Sequence, residues 1–393
     1  MEQLSAVLVG IGGYALNYVK ALLSEEGLRR VRFLGAVDPF PADEGYERLT
    51  NADVPVFATL PECYAHHPPD LAIVCSPTPF HAEQAAYCLN HGSHVLLEKP
   101  LAPTLEAAQS ILAARDAAQR ELVIGYQWCF NEAMQNLKSA LRSGEYGLPL
   151  TLRALVLWPR DETYYHRGVG WAGKRFMPDG HAVFDNVASN ATAHYLMNML
   201  WLADYGENGV DIDSISARAA RANDIETFDS VCMKIKLTNG ATLAFAASHA
   251  IARDELQNPV LTYTFERGEA RFGELGKTGD LLTITQPDGH TASLGSVSAN
   301  DVQDKLMKTL DVILGRIPNP CPIELAIGHT KVMHLVEQQL NGKIQQFPPE
   351  RLRQSDALNP QAGNIPAAKL RWVQGLADTM RTFFETMALP DEL

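Results

Sequence analysis

The sequence predicts a two-domain α/β protein: a doubly wound parallel sheet comes first, and an α+β domain with a large, mostly antiparallel sheet follows it. Three observations predict this fold class. Short, wholly apolar runs alternate with helical stretches through the first third of the chain. A glycine-rich turn follows the first of these runs. Near Tyr126 the pattern changes to β-rich runs separated by turn residues.

The apolar runs of the first third are the predicted strands, because parallel strands covered by helices on both faces are apolar throughout. The predicted strands are Ala6–Val9, Phe33–Val37, Leu71–Cys75, Val95–Leu97 and Leu122–Ile124, and the helices between them are Ala15–Ser24, Phe80–Asn90 and Thr104–Ala118. Their alternation predicts a doubly wound sheet, so we assign residues 1–127 to the first domain.

The remaining chain, 128–393, is assigned to the second domain, and no role is assigned to its tail, 342–393. Asn239-Gly240 and Asp288-Gly289 are turn signals, and Asn-Gly between two apolar runs predicts a hairpin. The predicted strands here are Leu152–Trp158, Ile212–Ala219, Val231–Leu237, Thr242–Ala247, Leu261–Phe265 and Leu281–Thr285, and the helices are Asn131–Arg142, Val302–Leu314, Glu324–Leu340 and Ala367–Thr386.

Composition excludes several classes of protein. The 393 residues carry a net charge of −13, which argues against nucleic acid as a partner because phosphates are bound by clustered Lys and Arg. The six cysteines form no Cys-x-x-Cys pair, which indicates free thiols in a reducing compartment. No apolar run reaches the length of about 18 residues that a membrane helix needs. We therefore expect a cytoplasmic protein with no membrane partner.

The glycine-rich turn has the spacing of a dinucleotide-binding Rossmann fold. Gly10-x-Gly12-x-x-Ala15 directly follows the first strand and opens a helix. Gly10 allows the tight turn, Gly12 and its neighbour Gly13 let the backbone approach a pyrophosphate, and Ala15 permits close packing of helix on strand. The helix N-terminus then offers free N–H groups to the phosphates.

Asp38 stands at the end of the second predicted strand, in the sequence Ala-Val-Asp-Pro-Phe. A carboxylate at this place can accept a hydrogen bond from the adenosine ribose 2′-hydroxyl and repels a 2′-phosphate. NAD is therefore the expected cofactor and NADP is less favoured. The alternative is that Asp38 is only a turn residue before Pro39.

A longer stretch carries a family resemblance. Residues 73–108 read IVCSPTPFHAEQAAYCLNHGSHVLLEKPLAPTLEAA, and the segments GYQWCFN (125–131) and GEYGLP (144–149) follow. In this order, after the glycine turn, they resemble the glucose-fructose oxidoreductase / inositol dehydrogenase family, often called Gfo/Idh/MocA. The resemblance implies a Rossmann domain and an open-faced sheet domain, through whose sheet the subunits of a homodimer or homotetramer would pair.

The resemblance also implies roles for the residues that match the family motifs. Lys99, in Glu98-Lys99-Pro100, would face the reacting oxygen of the substrate and take part in proton transfer. Glu98 would contact the nicotinamide half of the cofactor, with a purely structural ion pair as its alternative. A cis Lys99–Pro100 bond is left open. Further cofactor contacts are implied at Ser76, Thr78, His81 and Gln127, and at Lys99 itself.

The second catalytic feature implied by the family is Asp-x-x-x-His on one face of a helix in the second domain. His194 matches its histidine, with Trp201 seven residues on, but Asn190 stands where the family has Asp. Asn can fix a histidine tautomer but carries no charge. Asp185 is close in sequence and could contribute. A histidine that is merely buried on an apolar helix is the alternative for His194.

The segment between Trp158 and Asp185 is rich in aromatic and polar side chains that suit a sugar or polyol pocket. Tyr165 and Trp171, together with Lys99, Asp185, Asn190 and His194, are the predicted substrate contacts. No cluster has metal-ligand spacing, so no metal is expected.

The expected function is NAD(P)-dependent hydride transfer between nicotinamide and a hydroxyl or carbonyl carbon of a sugar, polyol or related small molecule. Two alternatives stay open: an NAD-assisted glycoside-cleaving enzyme, and a non-catalytic regulatory protein that binds a dinucleotide.

Overall fold

A computed structural model describes residues 3–41, 43–65, 68–166, 170–204, 209, 211–297, 302–358 and 368–393. The chain divides into two compact units: Met1–Phe130 with Ala299–Ile327, and Asn131–Ser298 with Gly328–Leu393. The first division lies close to the expected boundary at 127. The sequence analysis placed 299–327 in the second domain, whereas in the structure this segment returns to the first unit.

The first unit has a parallel sheet with strand order β3-β2-β1-β4-β5-β6, which is the doubly wound order expected from the sequence. The strands are β1 (Leu4–Val9), β2 (Val31–Val37), β3 (Val56–Phe57), β4 (Leu71–Val74), β5 (His94–Leu97) and β6 (Leu122–Ile124). The helices are α1 (Leu16–Leu22), α2 (Glu25–Arg30), α3 (Asp43–Asn51), α4 (Leu60–Tyr64), α5 (His81–Asn90), α6 (Leu105–Ala118) and, from the returning segment, α10 (Val302–Ile313).

Local signals explain where several elements begin. The Thr104 side chain accepts a hydrogen bond from the Ala107 N–H (3.2 Å) and so caps α6. Asn131 caps the first helix of the second unit in the same way, through the N–H of Met134 (3.2 Å). Gly240 has a φ of 92° in the turn after Asn239, which confirms the predicted hairpin.

The second unit has a mixed, mostly antiparallel sheet with strand order β14-β13-β12-β11-β7-β10-β9-β8-β15 and a separate hairpin, β16-β17. The strands are β7 (Pro149–Leu157), β8 (Ile212–Arg221), β9 (Ser230–Leu237), β10 (Thr242–Ser248), β11 (Gln257–Phe265), β12 (Gly268–Glu274), β13 (Lys277–Thr285), β14 (Thr291–Ser296), β15 (Gln345–Gln346), β16 (Leu352–Asp356) and β17 (Lys369–Val373). The helices are α7 (Glu132–Arg142), α8 (Glu162–Tyr165), α9 (Ala193–Ala203), α11 (Ile323–Leu340, which begins in the first unit) and α12 (Leu376–Thr386).

The structure corrects two expectations about the second unit. Residues 369–373, expected to be helical, form strand β17, in which Leu370 and Val373 are buried. The central strands of the large sheet are not open-faced, because α12 lies on β7 and β10. Leu155, Leu157, Ala244 and Ala246 point to the α12 side, and their neighbours along each strand point to the other face, where α9 packs on β7.

Candidate active site

The glycine turn after β1 has the geometry that a dinucleotide requires. Gly10 has a φ of 89°, and a Cβ placed on it would lie 2.9 Å from the carbonyl oxygen of Cys75, so no other residue fits here. Its N–H donates to the Val37 carbonyl (2.8 Å). Gly12 and Gly13 are exposed, and a Cβ at either position would meet no atom within 4 Å. The turn is thus crowded at Gly10 and open at Gly12 and Gly13, where a pyrophosphate would be bound.

The position of Asp38 is set by the backbone around it. Its Oδ2 accepts from the N–H of Ile11 in the glycine turn (3.2 Å), and its Oδ1 accepts from the N–H of Phe40 (2.9 Å). The carboxylate therefore lies beside the glycine turn and is half-buried, as a ribose-binding acid at the end of the second strand should be. Ala15 is fully buried behind the turn, which permits the close helix packing expected of it.

The predicted cofactor contact His81 lies beneath the turns that follow β4 and β5. Its ring is 1% exposed, and its two nitrogens lie 2.9 Å from the carbonyl oxygens of Ser76 and Pro100. Burial lowers the pKa of His81, so the ring is neutral and donates to one of the two carbonyls at a time. The His81 ring therefore lies between two predicted cofactor turns and is bonded to one of them at a time. Ser76 and Thr78, in the first of these turns, are half-buried.

Glu98, at the end of β5, is a buried carboxylate with a cationic partner. Its Oε1 accepts from Lys305 Nζ and from the Tyr18 hydroxyl (2.7 Å), and its Oε2 accepts from the N–H of Lys99 (3.0 Å). Glu98 is 3% exposed and Lys305 is fully buried. The structural ion pair considered for Glu98 is thus present, and it leaves Glu98 covered by protein groups. Gly125 makes room for it, since a Cβ there would lie 2.9 Å from Glu98 Oε1.

Opposing influences act on the pKa of Glu98. Burial alone would raise it, but the attraction of Lys305 and the hydrogen bonds from Lys305 and Tyr18 outweigh burial and hold it below its ordinary value. The carboxylate is therefore charged at neutral pH. Lys305 Nζ also lies 5.3 Å from the ring centres of both Tyr14 and Tyr18, so the cation has aromatic as well as carboxylate partners.

Lys305 is a buried partner of Glu98 that the sequence analysis missed. It lies on α10, more than 200 residues beyond Glu98 in the sequence and in the segment assigned to the other domain. A signal was present, because Lys305 stands three residues after Val302 and next to Leu306, on the apolar face of a predicted helix. Lysine on such a face is rarely buried without a partner.

Lys99 follows Glu98 directly, is half-buried, and is joined to Pro100 by a cis peptide bond. Gln127, also half-buried, opens a short 3-10 turn just after β6. The predicted cofactor residues therefore follow the ends of β1, β2, β4, β5 and β6, and the carboxyl ends of parallel strands meet at one edge of the sheet. That edge is where α/β sheets bind their ligands.

His194 of the second unit is the second residue of α9 and is 9% exposed. The helix is capped at Thr192, so Asn190 lies in the turn before the helix. The expected placement of Asn190 and His194 on one helical face is therefore wrong for Asn190. The reason is local: the Thr192 N–H donates to Val187 and the Asn190 N–H to Asn186, bonds that form a turn before α9 begins.

The structure does join Asn190 to Asp185. Asn190 Nδ2 donates to Asp185 Oδ1 (2.9 Å), and the N–H of Gly173 donates to Asp185 Oδ2 (2.7 Å). Asp185 is 6% exposed. A carboxylate thus lies one hydrogen bond from the position where the resembling family carries its own carboxylate. The sequence analysis considered Asp185 only through its spacing of nine residues from His194. That spacing did not predict the hydrogen bond between Asp185 and Asn190.

The aromatic residues predicted to contact substrate are packed against one another. Tyr165 is 9% exposed and forms a small cluster with Ala172 and Ile225, against which Trp171 packs. The cleft lined by Tyr165, Asp185 and other residues of this unit is too narrow for a water molecule. Within the second unit, then, Tyr165 is a packing residue, while Trp171 is half-buried at the cluster's edge.

None of the helices described is long and apolar enough to cross a membrane. In the described ranges, no group of three or more His, Cys, Asp or Glu side chains could hold a metal ion.

These features define a Rossmann unit followed by a sheet unit. A profile of the family described as "Oxidoreductase family, NAD-binding Rossmann fold" (GFO_IDH_MocA) matches residues 4–126. Over these residues the match confirms the resemblance that was stated from the motifs.

Curated relatives match over part of their length. One, a 1-carboxy-3-chloro-3,4-dihydroxycyclohexa-1,5-diene dehydrogenase from Comamonas testosteroni, is 33% identical over 36% of this chain and 34% of its own. Another, an inositol 2-dehydrogenase from Burkholderia lata, is 28% identical over 37% of this chain and 43% of its own. The matches thus cover less than half the length of these relatives.

Solved structures match over more of the chain. The WlbA dehydrogenase from Chromobactrium violaceum, solved with NADH and UDP-GlcNAcA, has a TM-score of 0.70 and 21% identity and covers 87% of this chain and 95% of its own. An oxidoreductase from Agrobacterium radiobacter has a TM-score of 0.68 and 16% identity, with coverage of 87% and 98%. At these identities the likeness shows the shared fold and confirms the predicted two-part architecture.

Proposed function

We propose that this protein is an NAD-dependent dehydrogenase or reductase that acts on a CH–OH group of a sugar, polyol or related small molecule in the cytoplasm. The observation that carries the proposal is the common edge of the first sheet, where the glycine turn, Asp38 and Lys99 all follow the ends of parallel strands. Relatives named as inositol 2-dehydrogenase and as a dihydroxycyclohexadiene dehydrogenase support a hydroxyl-bearing, ring-like substrate.

The donor and acceptor groups of this edge fit NAD. Gly12 and Gly13 have open space around their backbone, which would admit the pyrophosphate, and the carboxylate of Asp38, fixed by the Ile11 N–H, would accept from a ribose hydroxyl. The same carboxylate would repel the 2′-phosphate of NADP, so NAD is the proposed cofactor. When bound, NAD supplies the hydride acceptor, or NADH the donor, for the substrate carbon.

The protein must handle the proton of the substrate hydroxyl. We assign Lys99 to the reacting oxygen, where its cation stabilises the developing negative charge. His194 is assigned as the base that takes the hydroxyl proton during oxidation and returns it during reduction. Asn190, held by Asp185, would support the imidazole, and the nearby carboxylate would favour its protonated form.

The decisive variant is Lys99→Ala. We expect it to bind NADH within about twofold of the wild type, while turnover falls by at least about 100-fold because the oxygen loses its charge partner. Turnover is followed by absorbance with NAD and a panel of polyols, sugars and sugar acids, and binding by NADH fluorescence. Lys277→Ala is the control, because Lys277 is exposed and pairs with Glu274 at the surface. Wild-type turnover in Lys99→Ala would refute the assignment.

The same assay separates the alternatives that the resemblance leaves open. A dehydrogenase accumulates NADH, seen at about 340 nm, whereas NAD-assisted glycoside cleavage regenerates NAD in every cycle. A regulatory protein would bind NADH and turn over none of the panel.

A further inference from the structure

One face of the large sheet in the second unit is covered by the end of the same chain. We propose that α12 and the residues that follow it, 376–393, occupy this face in place of a second copy of the chain, so that the face is not a subunit interface in the intact protein. This inference concerns assembly and does not depend on the proposed activity.

The shapes of the two surfaces favour a helix as the occupant. On the sheet, the core positions beneath α12 are mostly small, including Ala220, Cys232, Ala244 and Ala246. The bulk of the contact comes from the helix, whose Leu376, Met380, Phe383 and Phe384 are at most 5% exposed. Small residues let a helix approach closely, whereas two packed sheets need side chains from both faces to interdigitate.

Arg153 holds the end of α12 in place. It points to the same face of β7 as Leu155 and Leu157, two and four residues on. Its Nη1 donates to the carbonyl oxygens of Glu385 (3.0 Å) and Phe384 (3.4 Å), and its guanidinium lies 5.6 Å from the centre of the Phe384 ring. A cation here satisfies carbonyls that the last turn of a helix leaves without partners.

The residues after α12 are held by two more arginines. Arg218 Nε donates to the carbonyl of Asp391 (3.2 Å), and Arg351 Nη1 donates to the carbonyl of Leu393 (2.7 Å), whose side chain is fully buried. A segment fixed at three points, with a buried last side chain, is a specific part of the fold.

Beyond α12 the same face is polar. Lys234 lies beside Ala244 in the register of β9 and β10, and Arg271 lies in one row with Thr262 and Arg153 across β12, β11 and β7. The side chain of Arg271 is 64% exposed. Charged side chains therefore border the helix on this face, and a second sheet packed there would have to bury them.

The test compares two pairs of aspartates placed on α12. Met380→Asp/Phe383→Asp puts charge on the face packed against the sheet, and Thr382→Asp/Thr386→Asp puts the same charge on exposed positions. By light scattering after gel filtration, we expect the wild type and the control pair to run as monomers near 43.2 kDa across a wide range of concentration. The core pair should release the helix and form dimers or larger species that bind a hydrophobic dye.

A second, milder variant keeps the test informative if the core pair unfolds the protein. Arg153→Gln removes the cation at the end of α12 and leaves the apolar contact, so hydrogen exchange in 376–386 should become at least about tenfold faster while exchange in the first unit is unchanged. A wild-type dimer or tetramer that dissociates in the core pair would overturn the proposal. Unchanged mass and dye binding in the core pair, with unchanged exchange in Arg153→Gln, would overturn it as well.

Discussion

Each unit of this protein buries a carboxylate, and the two are stabilised differently. Glu98 of the first unit accepts hydrogen bonds from Lys305 Nζ and the Tyr18 hydroxyl. Asp229 of the second unit, 1% exposed, accepts at one oxygen from the N–H of Ala222 (3.0 Å) and from the N–H and side-chain amide of Asn223 (2.9 and 2.8 Å). One carboxylate has a cation as partner, and the other is held by neutral donors.

The two pKa values move in opposite directions. Burial raises the pKa of Asp229, and its neutral donors offset this only in part. Burial acts on Glu98 as well, but Lys305 and the hydrogen bonds reverse the effect and lower its pKa. The comparison teaches that the charge of the partner, more than the depth of burial, decides whether a carboxylate in this fold is stabilised in its ionised form.

The largest expected effect comes from removing the cation. Lys305→Met leaves Glu98 buried without its counter-charge, and we expect the free energy of unfolding to fall by about 3–5 kcal/mol, measured by denaturant titration. Lys308→Met on the same helix is the control: its pairing with Asp304 is partly exposed, so about 1 kcal/mol or less should be lost. The double variant Glu98→Gln/Lys305→Met should recover most of the loss, and a single variant as stable as the wild type would contradict the ion-pair interpretation.

The same variant should reverse a pH dependence. In the wild type the lowered pKa of Glu98 means that its contribution is present above the ordinary carboxyl pKa and is lost as pH falls through the lowered value. In Lys305→Met the pKa of Glu98 is raised, so the variant should lose stability as pH rises from about 4.3, the ordinary value for Glu. Melting temperatures measured from acid to neutral pH distinguish the two signs.

Local patterns in the sequence predict the first unit well. Wholly apolar strands and the glycine spacing each depend on residues close together in the chain, and the structure confirms the elements they predict. Lys305 and the cover provided by α12 were missed because both depend on contacts between segments that lie far apart in the sequence. Periodicity marks a buried face but does not say which distant segment will lie on it.

The candidate site in the second unit shows the same limit. The motif comparison found His194 and the substitution at Asn190, but it placed both on one helix, because spacing alone cannot reveal the turn that ends at Thr192. It also left the contribution of Asp185 open. That carboxylate is brought to Asn190 by the turn itself, through a side-chain hydrogen bond that no periodic pattern encodes.

An intermediate effect is expected at Asp185, the carboxylate that accepts a hydrogen bond from Asn190. Asn190→Asp replaces the donor to Asp185 with a second carboxylate at 2.9 Å, and we expect the free energy of unfolding at pH 8 to fall by about 1–3 kcal/mol. The loss should shrink towards pH 5, because one shared proton then replaces the missing amide hydrogen. Denaturant titrations at the two pH values measure the change.

The exchanged pair Asp185→Asn/Asn190→Asp is the matched control. It restores one donor and one acceptor and moves the charge to the position where the resembling family has it. Its stability at pH 8 should return to within about 1 kcal/mol of the wild type. Failure of the exchange to restore stability would mean that the N–H of Gly173, which donates to the other oxygen of Asp185, requires a carboxylate at 185.

The smallest effect is expected at Asp229, whose hydrogen-bond donors Ala222, Asn223 and Ser230 are neutral. In Asp229→Asn the amide oxygen can take the place of the oxygen that accepts from Ala222 and Asn223, and the new NH₂ then faces Ser230 Oγ, which lies 2.9 Å from the other oxygen. Ser230 Oγ can accept that bond because it also lies 2.9 Å from the Ser248 hydroxyl, to which it can donate instead. The free energy of unfolding at pH 7 should change by at most about 1 kcal/mol.

The pH dependence of stability should change as well. Because the pKa of Asp229 is raised in the folded protein, the wild type loses stability as pH rises from about 3.9 through that raised value. The Asp229→Asn variant should lack this part of the pH dependence. A loss as large as that of Lys305→Met would show that the ionised carboxylate, and not its hydrogen-bonding pattern, is what the second unit requires.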